Sequence, residues 1–330
     1  MKTSPSARLR AGLVVAALAL AAAAQAQQAL TYPSRPVKIV VPYAAGGTTD
    51  QMARLIASEM SKTLGQPVVV ENRAGAAGVI GADAVAKSAP DGHTVCFCPT
   101  GPTVLMPLLE PHIPYQVVRD LPPVMFSHRF GLAIMLGPRL PASIKTLADL
   151  IAHAQANPGK LSYASVGTGS PNHLAGELFT SMAGIQLIHV PYKGESQGMT
   201  DLLGGQVDVL IASILIGEQQ LKSGKLRMLA VTDPARIERF PDLPAVAETL
   251  PGYSASAHVG LHVPAGTPKT AVDKLASAMA AAIAQPAVRE KMVAQGITPM
   301  GQGSEAYAQY LRTETDKWRQ LIQQKQIKLN

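Results

Sequence analysis

The 330-residue sequence predicts an α/β protein of two lobes, each a mainly parallel sheet flanked by helices. Three observations predict it. β-rich runs alternate with helical-period segments along the chain, the grammar of parallel sheets covered by helices. Two Gly-rich loops each lead from a strand into a helix, one in either half. Two further segments, Met125–Gly137 and Tyr253–Pro264, read as crossings between lobes, so that one lobe is built from both ends of the chain and the other is inserted. Composition agrees: 47% apolar and 15% charged residues are too apolar and too weakly charged for a disordered chain.

Residues 1–10 carry Lys2, Arg8 and Arg10 and no acid, Ala11–Ala24 is uncharged and apolar, and Ala24-Gln25-Ala26 follows. This is the three-part export signal, and its apolar run is short for a membrane span, which needs ~20 residues. The expected signal is residues 1–26, with a mature chain starting near Gln27; an uncleaved anchor is the alternative. No membrane insertion of the mature chain is expected. The formal charge is +7, and three of its cations lie in that first segment. The remaining Lys and Arg are dispersed, which disfavours nucleic acid as a partner.

The elements follow in order. Val37–Pro42 is a β-rich run, and Met52, Leu55, Ile56, Met60 and Leu64 then repeat at helical spacing until Gly65-Gln66-Pro67 stops them. Val68–Val70 and Thr94–Cys98 read as strands around a helix at Val79–Lys87. Later come helix Leu147–Gln155, strand Leu161–Ser165, helix Pro171–Ala183, strand Leu187–Val190, helix Glu195–Leu203, strand Val207–Ile211, helix Gly217–Lys222 and strand Arg227–Val231. The tail is helical over Pro268–Gln285, Ala287–Gln295 and Ser304–Lys325, the last with Tyr307, Leu311, Trp318 and Ile322 on one face. The predicted lobes are 27–126 with 256–330, and 127–255. Cys96 and Cys98 are the only cysteines. On an extended strand their Cα atoms would lie roughly 6.6 Å apart, which favours two buried small side chains over a disulfide.

The first candidate site is the loop Tyr43-Ala44-Ala45-Gly46-Gly47-Thr48-Thr49-Asp50. Thr48 followed by Gln51 fits a capping box with Thr48 as N-cap. The glycines allow a tight turn and close approach of a ligand, and a helix N-terminus suits an anion. The second is Ser165-Val166-Gly167-Thr168-Gly169-Ser170-Pro171-Asn172-His173, where Ser170 is the expected N-cap and Pro171 the first helical residue. Ligands of open α/β sheets bind beyond the carboxyl ends of strands. Two such loops facing across a cleft would hold the two ends of a small di- or polycarboxylate. Tyr192 and Lys193, Thr100 and Gly101, and Asp208 are further candidates near strand ends.

Catalysis is not expected. Ser170 and His173 stand at i and i+3 of a helix start, where Ser caps, and there is no Gly-x-Ser-x-Gly elbow or His-Glu-x-x-His motif. No metal or cofactor is implied.

In order along the chain, Tyr32–Pro36, Val40–Asp50, Val69–Arg73, Ala89–Gly92, Gly159–Ser165, His189–Gly194, Asp201–Asp208, Gly224–Arg227 and Val263–Pro268 form a pattern that resembles the Bug-type receptors, the periplasmic solute-binding proteins of tripartite tricarboxylate transporters. The resemblance implies a type II, Venus-flytrap fold in the periplasm. It implies a carboxylate ligand taken from both lobes by the loops matching Tyr43–Asp50 and Ser165–His173, and hand-over to the membrane subunits of a transporter by a monomeric receptor. A sensory co-receptor presenting a carboxylate to a membrane signalling protein is the alternative. Ala212-Ser213-Ile214 stand where the family often has an acid or amide, which disfavours an amino-acid ligand needing an ammonium partner.

Overall fold

A computed structural model describes residues 32–327 apart from 111, 222, 223, 238 and 326. The expected export signal lies outside the described residues. Strand β1 (Val37–Val41) leads into helix α1 (Thr48–Leu64), then β2 (Val68–Asn72), α2 (Val79–Ala86), β3 (Thr94–Pro99) and the long β4 (Pro123–Leu136). Next come α3 (Leu147–Ala156), β5 (Ser162–Ser165), α4 (Pro171–Ala183), β6 (Ile188–Pro191), α5 (Glu195–Leu203), β7 (Val209–Ser213), α6 (Ile214–Leu221) and β8 (Arg227–Val231). The chain returns through β9 (Ser256–His262), α7 (Lys269–Ala284), α8 (Pro286–Ala294), β10 (Ile297–Gly303) and α9 (Ser304–Lys325).

The local reasons are visible in the residues. In α1, Met52, Ile56 and Met60 fall on one face and are fully buried, each contributing about 1.5–3 kcal/mol. Gly65 ends the helix in a left-handed conformation, φ 65°. Thr146 and Asp149 close a reciprocal capping box on α3. The apolar side of α9 docks on β4, with Tyr307 stacked on Phe126 at 5.0 Å and Trp318 fully buried.

The sheet order is β2-β1-β3-β9-β4-β7-β5-β6, with β10 and β8 also paired to β4. The outer strands run parallel, β1 with β2 and β3, and β5 with β6 and β7. The crossing strands pair antiparallel, because β4 runs out of the first sheet and β9 runs back. β4 serves both sheets. Its residues up to Gly131 pair with β9 and β10, and from Leu132 onward they pair with β7 and β8. Residues 127–131, expected in the inserted lobe, therefore still belong to the first sheet. Strand β10 was not anticipated, since Thr298-Pro299-Met300-Gly301 shows no alternation.

Cys96 and Cys98 are joined by a disulfide, contrary to the expectation of two separate thiols. The strand contracts locally to bring their Cα atoms to 5.2 Å, inside the range a bridge spans. Both are completely buried on the sheet face opposite Phe97.

The crossing is pinned by Thr232. Its hydroxyl accepts from Leu132 N at 3.0 Å, its N–H donates to Leu132 O at 2.8 Å, and its carbonyl accepts from Ala255 N at 2.9 Å. The next residue, Asp233, packs its carboxylate on Gly131, where a Cβ would collide with it. One carboxylate oxygen of Asp233 is buried without a partner. Burial raises its pKa to about 6, against an opposing pull from Arg129.

Two pH effects follow. Burial lowers the pKa of His128 and His258 to about 3, with the charges of His262, Lys317 and His128 adding at His258, and lowers that of His262 to about 4. Below ~6.5 the unfolded chain binds protons that these folded imidazoles refuse. Stability present above that pH is lost as pH falls, by on the order of 2 kcal/mol per imidazole at about pH 5. Urea midpoints should drop accordingly between about pH 7.5 and pH 5; a flat profile would contradict the assignment. Asp233 has the opposite sign: its contribution is full below the unfolded value of ~4 and lost as pH rises through about 6. Asp233→Asn should stabilise the protein by up to about 3 kcal/mol at neutral pH and by little near pH 4.

Candidate functional site

The carboxyl ends of β1 and β3 from one lobe and of β5, β6 and β7 from the other face each other, and the loops that follow them meet there. After β1 the chain turns at Gly46, φ 83°, a conformation that favours glycine. The turn is held by Asp50, whose carboxylate accepts from Gly46 N at 2.9 Å and Asn72 Nδ2 at 3.0 Å and pairs with Arg54 at 2.9 Å. Burial alone would push the Asp50 pKa up. The hydrogen bonds from Arg54, Gly46 and Asn72, with the Arg54 charge, outweigh it and hold the pKa below the usual carboxylate value.

The expected capping box at Thr48 does not form. Gly47 is the N-cap, and Gln51 N donates to its carbonyl at 3.0 Å. Gln51 instead reaches the Gly46 carbonyl at 3.0 Å. That leaves Thr48 as the first helical residue with both its donors turned across the cleft. Its N–H and hydroxyl donate to Oε2 of Glu195, at 3.2 and 2.9 Å.

Glu195 opens α5 in the other lobe and is 7% exposed. Its Oε1 accepts from Ser213 N at 2.7 Å and Asn172 Nδ2 at 3.5 Å, and its Oε2 also from the Ser213 hydroxyl at 3.1 Å. Thr48 and Ser213 hydroxyls touch directly. A further bond between the lobes runs from Ala44 N to Lys193 O at 3.1 Å. The enclosed cavity measures about 20 Å³, room for about one water. Tyr43, Pro99, Phe130, Val166, Pro171 and Ala257 supply its apolar wall, Thr48, Thr49, Asp50, Asn172 and Glu195 its polar end, and no Lys or Arg lines it. The Tyr43 hydroxyl is buried without a partner. Burial first, then the charges of Glu195 and Tyr115, raise its pKa, so it stays a protonated donor.

Of the residues expected from sequence, Tyr43, Gly47, Thr48 and Asp50 line the cavity. Ala45 and Gly46 sit exposed at its rim. Gly101 lies against the Tyr43 hydroxyl, where a Cβ would come within 2.7 Å. The others do not reach the cavity wall. The Thr100 hydroxyl is engaged by His258 in the core, at 2.8 Å from His258 N and 3.0 Å from Nδ1. Ser165 bonds His189 Nε2 at 2.6 Å and accepts from Gly167 N at 3.1 Å. Ser170 caps α4 through His173 N at 3.2 Å, and His173 accepts from Gly169 N and packs against His189 at 4.2 Å between ring centroids. Gly167 turns with φ 112° beside Ala77 and Tyr192, and Thr168 is half-buried. Tyr192 bonds Asp201 at 2.7 Å, and the Lys193 side chain is exposed. Asp208 stands just before β7, at the end of the sheet away from the cleft, where it accepts from Ser162 N at 2.8 Å.

Glu195 and Ser213 were missed, and Asn172 stood in the second candidate loop without a role of its own. A Glu in the first turn of a helix reads as an ordinary complement to the helix dipole, and its partners Ser213 and Thr48 lie 18 and 147 residues away in the chain. Among the described residues no group of three or more His, Cys, Asp or Glu could hold a metal ion, and no helix is long and apolar enough to cross a membrane.

The family model of the tripartite tricarboxylate transporter family receptor matches residues 52–327. The chain is 37% identical to the protein BugT of Bordetella pertussis over 320 residues, covering 96% of this chain and 97% of that one. Among solved structures it is similar to the periplasmic binding protein BugD, with 34% identity, a TM-score of 0.86 and coverage of 90% and 99% of the two chains. It is equally close to the R. palustris protein Rpa4515 with adipate, at 33% identity, TM-score 0.86 and the same coverage. Two sheets joined through β4, a closed cleft lined from both lobes, and these likenesses place the chain in the tripartite tricarboxylate transporter receptor family.

Proposed function

We propose that the protein is a periplasmic receptor that captures a small organic acid between its lobes and delivers it to the membrane subunits of a tripartite tricarboxylate-type transporter. One observation carries the ligand class. A carboxylate, that of Glu195, already sits on the free donors of α1 and bridges the two lobes. The place is therefore suited to a carboxylate in size, charge and hydrogen bonding. The adipate bound to the R. palustris relative supports the same class. The role is capture, not turnover. Residues 1–26 act as the export signal, and the lobes divide at Gly131–Leu132 and Ala255–Ser256, where the strand pairing changes sheet.

Because the cavity holds about one water, a ligand enters only when the lobes part, and specificity arises as they close on it. The test is a thermal-shift panel of organic acids on protein unfolded and refolded to strip carried ligand. At about 100 Kd a ligand adds ~2.7 kcal/mol, which raises the melting temperature by several degrees at ~2–4 °C per kcal/mol. A shift with some acids and not others supports the receptor; no shift with any acid refutes the carboxylate reading.

Gly46→Val should abolish most binding. It forces a branched residue into φ 83° and brings a Cβ to 3.0 Å from Ser196 Oγ of the facing lobe. Affinity should fall at least ~tenfold with the far-ultraviolet spectrum unchanged. Gly47→Ala, whose Cβ meets nothing closer than 3.8 Å, should bind within about threefold of wild type. Equal affinities for the two variants would move the site away from this loop.

A further inference from the structure

Glu195 and Thr48 face each other from opposite lobes, and each is chemically what the other's side of a ligand requires. Thr48 presents an N–H and a hydroxyl at the positive end of α1, a seat for an anion. Glu195 presents a buried carboxylate from the other lobe. With the cleft closed on itself, the two satisfy one another across about 3 Å. A ligand entering between the lobes must separate them. It then leaves two demands: an acceptor for the Thr48 donors and a donor for the Glu195 carboxylate.

The charges near the cavity sharpen this. Its lining holds two carboxylates and no Lys or Arg. Asp50 is answered by Arg54 at 2.9 Å. Glu195 is held only by neutral groups, from Thr48, Ser213 and Asn172, and on insertion of a ligand it keeps only those of its own lobe, Ser213 and Asn172. A second ligand carboxylate beside it would stand unanswered in a buried site.

Resting on the carboxylate-receptor reading above, we infer that Glu195 is the specificity-determining residue of the cleft and selects an amino acid: the ligand's carboxylate takes the Thr48 end of α1 and its ammonium takes Glu195. The expectation from Ala212-Ser213-Ile214, that an ammonium has no acidic partner here, is thereby reversed. The acid comes from α5 and not from the segment after β7. Acids that lack the amino group, adipate included, bring no cation to Glu195 in place of the Thr48 donors and are rejected.

The experiment compares each amino acid with its deaminated counterpart on the stripped full-length mature protein by calorimetry. The pairs are alanine with propionate, aspartate with succinate, glutamate with glutarate and 2-aminohexanoate with hexanoate, with adipate added. At least one amino acid should bind ~tenfold or more tightly than its partner. Glu195→Gln keeps the shape and the link to Thr48 but removes the charge, and should shrink that ratio by at least ~tenfold. Glu195→Ala serves as the second variant should the first not fold. Deaminated acids binding as well as the amino acids, or a ratio unchanged in the variant, would overturn the role of Glu195 and leave the carboxylate reading standing. Binding of no acid of either kind would overturn both.

Discussion

Everything in this molecule hangs on one strand that belongs to two sheets. β4 leaves the first sheet at Gly131 and enters the second at Leu132 without a break. Its continuity sets both sheets in one frame and points the carboxyl ends of their parallel strands at each other. Thr232 and Ala255 fasten the same point from the return path. Each of these connections between the sheets is hydrogen-bonded, as befits the hinge of the lobe movement proposed above. At this junction the buried Asp233 carboxylate packs against Gly131 with one of its oxygens left without a partner. A stable interior does not need that, and its cost falls where the molecule must bend.

The cleft answers charge with dipoles. No cation lines it. The donors are those that a helix start leaves over once its turn has been closed by Gly47 and Gln51. Such donors are weaker than a guanidinium but fixed in place, and they are cheap to expose to water when the lobes separate. The apolar wall of Phe130, Pro99, Val166 and Pro171 excludes water once they meet.

Much of this was legible in the sequence. The outer strands and most helices announced themselves because their periods are clean and their ends carry Gly, Pro, Ser or Thr. Ser170 and Pro171 start α4 as their types dictate. The loop at Tyr43–Asp50 stood out because glycines, hydroxyls and a helix start coincide there, and most of its residues line the cavity. What stayed hidden was long-range. Thr48 looks like a cap until Gly47 is seen to take that role. The Cys96–Cys98 bridge depends on a local contraction of a strand that period alone draws as extended. Strand β10 has no alternation to betray it, since it is specified by β4 beside it. Thr100, Ser165 and His173 are in the right loops but turn inward, because a buried hydroxyl or imidazole takes the nearest partner in its own lobe. Glu195 is invisible for the opposite reason: its partner lies across a cleft that exists only after folding.

The closed contact between Glu195 and Thr48 also shapes the heat of binding. On the binding mode proposed above, the Thr48–Glu195 hydrogen bonds between the lobes give way to hydrogen bonds to the ligand. Polar contacts are then exchanged and not gained, and they decide which ligand enters more than how tightly it stays. The net drive must come from apolar surface, the ligand's carbon skeleton leaving water for the wall around Phe130. Uptake in such a site carries a negative heat-capacity change and grows more exothermic on warming. The receptor's grip and its discrimination are thus supplied by different parts of the same cleft.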